Sequence, residues 1–140
     1  MKKGLTLIEL LLVISLITIV GTLTTPFAGA FLLRVQQESV VNAIVTAFHL
    51  VQMNSLDGKG SGAWGICQTG QIIRVYLGSC ASPTQAIDNS IGSSINVSGL
   101  SNTIYTRGTG SPASSLNITV SSSIASNNIT VNSLGVINVQ

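Results

Sequence analysis

The sequence predicts an α+β protein in which a long N-terminal hydrophobic helix continues into a helix that packs on an antiparallel β-sheet head. Three observations predict this class. Residues 5–33 are predominantly apolar, residues 32–56 contain neither proline nor glycine, and short β-branched runs beyond residue 57 alternate with Gly, Ser, Asn and Pro. The 140 residues are enough for one ordinary domain.

The first element, residues 5–33, has the composition of a membrane span. The segment stays apolar, with polar interruptions, as far as Phe31. Its length therefore exceeds the roughly 20 residues that cross a bilayer. Lys2 and Lys3 are the charges that precede it, so the positive-inside rule places the N-terminus in the cytoplasm. We therefore expect a single-pass protein of the inner (cytoplasmic) membrane with an extracytoplasmic head.

A cleaved secretory signal is the alternative interpretation of this segment. Two lysines, an apolar core and Ala28-Gly29-Ala30 match the regions of such a signal, and the mature chain would begin at Phe31. Glu9 argues against it, because a charge at the centre of a membrane helix costs about 2.5–3.5 kcal/mol and a signal peptide has no use for one. An acid at this position indicates a function and requires a partner.

Cleavage after Gly4 would supply that partner. The new α-amino group on Leu5 would lie four residues, about one helical turn, from Glu9. The amine could neutralise the acid within one subunit or between staggered neighbours. Because an unpaired buried charge costs far more than a paired one, this pairing would disfavour a neighbour in the wrong axial register.

The leader Lys2-Lys3-Gly4, followed by the apolar run 5–16 with glutamate at its fifth position, resembles the class III signal of type IV pilins and type II secretion pseudopilins. The resemblance implies a pilin-like fold and cleavage by a prepilin peptidase between Gly4 and Leu5. It also implies methylation of the new N-terminus at Leu5 and a role for Glu9 in assembly and register. The family usually has phenylalanine or methionine where this chain has Leu5.

The same resemblance divides the chain into a leader peptide (1–4), a transmembrane and filament-core helix (5–33) and an extracytoplasmic α+β head (34–140). Pro26 lies 21 residues after Leu5, where pilin helices commonly carry a proline. Proline removes a helical hydrogen bond, so we expect a kink there. An ordinary helix boundary at the membrane surface would explain Pro26 equally well.

The stretch 32–56 is predicted to be an amphipathic helix, because its apolar residues recur with the helical period of 3.6. The apolar set is Val40, Ile44, Ala47, Phe48 and Val51, and the polar set is Glu38, Asn42, Thr46 and His49. One face therefore packs on the head. We expect His49 to face solvent rather than to act as a ligand.

Short runs beyond residue 57 are predicted to be antiparallel strands, because turn-forming residues separate them. They are 64–67, 71–77, 95–97, 103–105, 116–120, 129–131 and 136–139. The last two would form a hairpin that turns at 133–135. The helix would then cover one face of the sheet.

Cys67 and Cys80 are the only cysteines and lie 13 residues apart, near the ends of two predicted strands. Outside the cytoplasm a disulfide is the expected state. Closing a loop of this size is worth about 3 kcal/mol in the chain-entropy model. Two free buried thiols are the alternative.

The order of elements in the head resembles that of H-type minor pseudopilins of type II secretion and of T-type fimbrial minor pilins. The residues that carry this resemblance are Trp64-Gly65-Ile66 after the helix and the closing run 129–139. It implies a minor subunit. Some T-type members bind DNA through basic residues near the C-terminal glycine, whereas Val, Ile and Asn follow Gly135 here.

The composition argues against an enzyme. The candidate acid–base or metal-binding residues are His49, Glu9, Glu38, Asp57 and Asp88. They are too few for a metal site or an acid–base pair, and no Gly-x-Ser-x-Gly elbow is present. We expect no catalytic residue, metal or cofactor. A membrane-tethered or secreted β-domain, such as an adhesin or a hydrolase, is an alternative of another class.

The sequence favours a structural subunit, a minor pilin or pseudopilin, of a type IV pilus or type II secretion filament that is anchored in the membrane before assembly. The expected partners are other pilin or pseudopilin subunits, the prepilin peptidase and the inner-membrane assembly platform. The alternative is a DNA-binding minor pilin of a DNA-uptake pilus. Residues 34–140 contain four basic and three acidic residues, a net charge of +1. So small a charge does not favour a nucleic-acid partner unless Lys59, Arg74 and Arg107 cluster on one face.

Overall fold

The structure, a computed structural model, describes residues 6–140, except for the side chains of residues 22–28. Helix α1 spans Leu7–Leu56, and strands follow it to the end of the chain. The predicted α+β class is confirmed. Gly4 and Leu5, the predicted cleavage site, lie outside the described residues, and so does the side chain of Pro26, the predicted kink.

Residues 57–140 form two four-stranded antiparallel sheets rather than the single sheet that we expected. The strands of the first sheet, in spatial order, are β3 (Gln85–Ser90), β2 (Ile72–Leu77), β1 (Trp64–Thr69) and β5 (Thr103–Ile104). Those of the second are β4 (Asn96–Ser98), β6 (Leu116–Ser121), β7 (Ser126–Val131) and β8 (Ile137–Val139). Strands β3 to β6 alternate between the sheets, so the chain crosses from one to the other three times.

Strand β3 was not predicted. Its sequence, QAIDNS, has one β-branched residue, and it lies at the edge of its sheet with most side chains exposed. Its pairing with β2 is nevertheless continuous, from Ile72 opposite Ser90 to Leu77 opposite Gln85. Backbone pairing therefore defines this strand, and its side chains carry little of the pattern that identifies a buried one.

The packing face of α1 is the predicted one. The buried helix residues include all five of the apolar set, Val40, Ile44, Ala47, Phe48 and Val51. This face contacts β1 and β2 of the first sheet and β6 of the second, so one hydrophobic core joins both sheets to the helix. His49 is exposed, as predicted, and so are the other residues of the polar set.

Polar residues of α1 are also buried, namely Gln37, Asn54 and Ser55. Gln37 is 2% exposed, and its amide nitrogen donates to the backbone oxygen of Val120 (3.3 Å) and to Oδ1 of Asn127 (2.5 Å). Its amide oxygen accepts a hydrogen bond of 2.7 Å from the hydroxyl of Ser122. A buried polar side chain is tolerated when its polar atoms are hydrogen-bonded, as those of Gln37 are. These hydrogen bonds connect the helix to the second sheet.

The C-terminal hairpin is present where it was predicted. Strands β7 and β8 pair from Ile129 opposite Val139 to Val131 opposite Ile137. In the turn, Oδ1 of Asn132 accepts hydrogen bonds from the backbone nitrogens of Leu134 and Val136, both at 2.9 Å. Gly135 has a φ of 82°, a conformation that glycine adopts without strain.

Candidate assembly surface

The N-terminal part of α1 exposes apolar side chains on every face. From Leu7 to Val20 each large apolar residue is at least half exposed, from 51% for Val13 to 80% for Leu7. A helix that is hydrophobic all round is stable only when lipid or other helices surround it. These residues therefore form a surface that must be covered, and the head covers none of it.

The two hydroxyl groups within this stretch are satisfied by the helix itself. The hydroxyl of Ser15 donates to the backbone oxygen of Leu12, and that of Thr18 donates to the oxygen of Ser15, both at 2.8 Å. Such local bonding lets hydroxyl groups enter an apolar environment without a partner from another chain. Neither residue therefore opposes the burial of this surface.

The predicted span over residues 5–33 includes Leu5 and the stretch 22–28, which lie outside the described side chains. Within the part of the chain that the structure describes, no helix combines the length and the hydropathy that a membrane crossing requires.

Glu9 lies in the first turn of α1, where the partial positive charge of a helix N-terminus favours a carboxylate. Thr6 precedes the helix with an extended backbone, and the spacing from Thr6 to Glu9 is that of a capping box. The threonine hydroxyl makes no capping hydrogen bond, however. Among residues 6–140 the Glu9 carboxylate has no ion pair or hydrogen bond, so it remains available to a partner.

The cysteines are bonded, as predicted. Cys67 on β1 and Cys80 after β2 form a disulfide with Cα atoms 6.3 Å apart. Beside it, Arg74 makes a bidentate ion pair with Asp88, with nitrogen–oxygen distances of 2.7 and 2.8 Å. The pKa of Asp88 is lowered chiefly by its hydrogen bond with Arg74, and that bond also raises the pKa of Arg74. Arg74 is therefore neutralised within the chain.

A cleft that we call the Glu38 cleft lies between α1 and the second sheet. Its volume is about 250 Å³, and its lining residues are Glu38, Val41, Asn42, Asn127 and Val139. Glu38 supplies the one charge of this lining. Within the described residues its carboxylate has no ion pair or side-chain hydrogen bond. An adjoining cleft of about 210 Å³ includes Arg34, one helical turn earlier.

A second exposed surface, the tip corner, lies at the C-terminal end of α1, and we define it as Leu56, Lys59, Arg107, Leu134 and Val136. The end of α1 meets two loops there. A Cβ atom placed on Gly110 would lie 2.7 Å from Cγ of Leu56, and one on Gly135 would lie 3.3 Å from the Gly110 oxygen. The apolar members are exposed, Leu134 by 72% and Val136 by 51%.

Two cations belong to the tip corner. The Arg107 guanidinium donates to the Gly58 oxygen at 2.6 Å, and Gly58 directly precedes Lys59. Asp57 is the neighbouring acid, which leaves this corner one positive charge in excess. Arg74, the third of the basic residues whose clustering would favour DNA binding, lies on β2 and is paired with Asp88.

Sequence reasoning predicted the disulfide between Cys67 and Cys80 but missed Gln37 and both head surfaces. Gln37 precedes Val40 by three residues and Ile44 by seven, a spacing that places it on the core face, and this was the available signal. The Glu38 cleft and the tip corner each combine residues far apart in sequence. No local pattern could have assembled them.

The fold and these surfaces define a class of protein: an α+β head carried on a helix whose N-terminal part is apolar and uncovered. Comparisons with family models, with curated proteins and with solved structures give no match to the chain. Among the described residues, no group of three or more His, Cys, Asp or Glu side chains could hold a metal ion.

Proposed function

We propose that this protein is a structural subunit, a minor pilin or pseudopilin, of a filament of the type IV pilus or type II secretion class. The observation that carries the proposal is the exposed apolar surface from Leu7 to Val20 beside a head with a well-packed core. A chain of this design needs other helices or lipid around its N-terminal helix. Packing of equivalent helices into a filament core would provide that environment.

In this proposal the chain is first held in the inner membrane by residues 5–33, with the head on the extracytoplasmic side. The prepilin peptidase cuts between Gly4 and Leu5 and methylates Leu5. The assembly platform then transfers the subunit from lipid to the filament. The basic leader, the glycine and the position of Glu9 support this order of events.

Glu9 would set the axial register of the subunits. Its carboxylate has no partner among the described residues, and the amine created at Leu5 would lie about one turn away. Association of apolar helices in lipid gains little from hydrophobicity, so a polar contact weighs heavily in choosing the register. A subunit placed out of register would leave the carboxylate unpaired in an apolar core.

The test is the intact mass and N-terminal sequence of the protein from membranes of cells that contain a prepilin peptidase. We expect a chain that begins at Leu5 and is heavier by one methyl group than the unmodified sequence. A chain that begins at Phe31 would replace this proposal with a secreted β-domain. An intact Met1 would leave a membrane-anchored domain with no support for filament assembly.

A further inference from the structure

We propose that this chain binds the headgroup of phosphatidylethanolamine, a zwitterionic membrane lipid, where α1 meets the second sheet. The site is the cleft of about 210 Å³ that adjoins the Glu38 cleft, and we call it the Arg34 cleft. Its lining residues are Arg34, Gln37, Glu38, Ala125 and Asn127. This inference deepens the proposed function and rests on it, because it requires residues 5–33 to lie in the membrane.

The Arg34 cleft has one cation and one anion that are not paired with each other. Arg34 and Glu38 lie four residues apart on α1, and both line the cleft. Among the described residues neither forms an ion pair. Their order agrees with this, since a helical pair is weaker when the base precedes the acid. The cleft therefore has no net charge but two separate poles, and a zwitterion complements both.

Asn127 supplies a further hydrogen-bond donor to the Arg34 cleft. The backbone oxygen of Val120 can only accept, so the Gln37 side chain must turn its amide nitrogen toward that oxygen (3.3 Å). The same nitrogen donates to Oδ1 of Asn127, which leaves the Asn127 amide nitrogen for another partner. Among the described residues this nitrogen has no hydrogen-bond partner, and it is accessible to solvent. It is therefore free to donate to a ligand in the cleft.

The order of the two charges along α1 matches the order of the two charges in the lipid. Arg34 directly follows the proposed span, and Glu38 lies one turn further from the membrane, about 6 Å along the axis. The polar region on each side of a bilayer is about 5–7 Å thick, so both side chains fall at headgroup depth. In phosphatidylethanolamine the phosphate is attached to the glycerol and the amine lies beyond it. The phosphate therefore meets Arg34, and the ammonium group reaches Glu38.

The chemistry of these groups selects the ethanolamine headgroup. A guanidinium donates paired hydrogen bonds to a phosphate, and the Asn127 amide can add one more. A primary ammonium group donates to a carboxylate such as that of Glu38, whereas the quaternary amine of phosphatidylcholine has no N–H to donate. The cleft volume of about 210 Å³ equals that of about seven water molecules, which is enough for one headgroup.

The experiment uses a carbodiimide, which activates a carboxylate and joins it to a primary amine in contact with it. The full-length chain is inserted into vesicles made of equal amounts of phosphatidylethanolamine and phosphatidylcholine. Proteolysis and mass spectrometry then measure the fraction of each carboxylate that carries the lipid. Asp57, which is 19 residues further along the chain than Glu38, is the internal control.

We expect the lipid to be joined to Glu38 and not to Asp57. Arg34→Gln removes the partner of the phosphate and should lower coupling at Glu38 about two- to fivefold, the range for an exposed ion pair. Asn127→Asp keeps an oxygen that accepts from Gln37 but replaces the donor with a negatively charged oxygen, so it should lower the coupling as well.

Gln36→Glu provides a matched carboxylate. Position 36 is exposed, lies nearer to the membrane than Glu38 and lines a different cleft. We expect Glu38 in this variant to be coupled several-fold more than position 36. Coupling that is as strong at position 36 as at Glu38 would reflect nearness to the bilayer alone and would overturn the site. Coupling at Glu38 that Arg34→Gln leaves unchanged would overturn it too.

A soluble arm of the experiment identifies the source of the phosphoester. The chain in vesicles of phosphatidylcholine alone is treated with the carbodiimide and free phosphoethanolamine. Weak coupling at Glu38 supports a membrane lipid as the ligand. Coupling as complete as that with the lipid would assign the cleft to a soluble phosphoester and overturn the lipid.

Failure of this inference is distinguishable from failure of the proposed function. A chain that begins at Leu5 and carries no lipid on Glu38 overturns the headgroup site and leaves the filament proposal standing. An intact Met1 overturns the filament proposal, while lipid on Glu38 of that chain still supports the site. A chain that begins at Phe31 overturns both, because it has no membrane segment to bring the cleft to the bilayer.

Discussion

The ring of Tyr76 on β2 lies across Gly65, its partner on β1. The two residues are directly opposite in the antiparallel ladder, and a Cβ atom at Gly65 would lie 2.5 Å from Cζ of Tyr76 and 2.9 Å from the Thr103 oxygen. The tyrosine hydroxyl then donates to Oδ1 of Asn102 at 2.5 Å. Because Gly65 has no side chain, the buried ring of Tyr76 can pack over its backbone.

Replacing Gly65 with alanine should destabilise the head, because the added methyl group meets the buried ring and a backbone oxygen. Overpacking of this kind costs about 1–3 kcal/mol. Gly92→Ala is the matched control, since a Cβ there has no heavy atom within 4 Å and the backbone needs no left-handed conformation. Denaturant unfolding measures both variants; equal free energies of unfolding for the two would show that the ring can move aside.

Removing the disulfide should lower the free energy of unfolding by about 2–4 kcal/mol, because the unfolded chain regains the freedom of the loop between Cys67 and Cys80. The comparison is between the wild type with and without reductant and the Cys67→Ala/Cys80→Ala variant. Reductant should destabilise the wild type and leave the variant unchanged. A wild type that is insensitive to reductant would contradict the expected contribution.

The head should lose stability in alkaline solution through Tyr105. Burial raises the pKa of Tyr105 to about 12, whereas an unfolded tyrosine titrates near 10. Because the folded state holds the proton more tightly, this contribution is complete below pH 10 and disappears as the pH rises to about 12. Tyr105→Phe keeps the ring that packs 6.5 Å from Phe48 and removes the titration. The fall in unfolding free energy across this interval should therefore be smaller in the variant.

Gln37→Ala should destabilise the contact between α1 and the second sheet by about 2–3 kcal/mol, because it removes a buried side chain and leaves the Val120 oxygen without this donor. Gln36→Ala is the matched control. Gln36 is the preceding residue on the same helix and is exposed, so its replacement should change the free energy of unfolding by less than about 0.5 kcal/mol. Similar losses in both variants would mean that the hydrogen bonds of Gln37 contribute nothing specific.

Replacing Glu9 with alanine or valine should leave cleavage at Gly4 intact and prevent incorporation into filaments. The reason is that the amine at Leu5 would lose its acid partner while the apolar surface stays the same. Ser15→Ala is a suitable control, because the hydroxyl of Ser15 donates to the Leu12 oxygen of its own helix. Immunoblots of membrane and filament fractions measure both steps. Normal filaments containing the Glu9 variants would refute the register hypothesis.

The sequence could predict those features of the fold that a local sequence pattern determines. Helical periodicity identified the buried face from Val40 to Val51, and alternation with a turn at Gly135 identified the last hairpin. Two cysteines 13 residues apart predicted the disulfide. In each case the residues that form the feature are close in sequence, so their pattern contains the information.

Three features depended on distant parts of the chain and were not predicted. The pairing of β3 depends on the backbone of β2, since its own polar side chains resemble a loop. Gln37 is buried because Val120, Ser122 and Asn127 lie opposite it. The division into two sheets depends on which strands pair, and strand partners separated by many residues leave no periodic signal.

The alternation of β3 to β6 between the sheets has a consequence for how the head comes apart. Neither sheet is made from a continuous piece of chain, because β4 of the second sheet precedes β5 of the first. Gln68 on β1 also donates a hydrogen bond to the Val97 oxygen on β4 at 3.2 Å. Unfolding one sheet therefore frees the chain segments that hold strands of the other sheet in place. The head should lose its structure in a single cooperative transition rather than one sheet at a time.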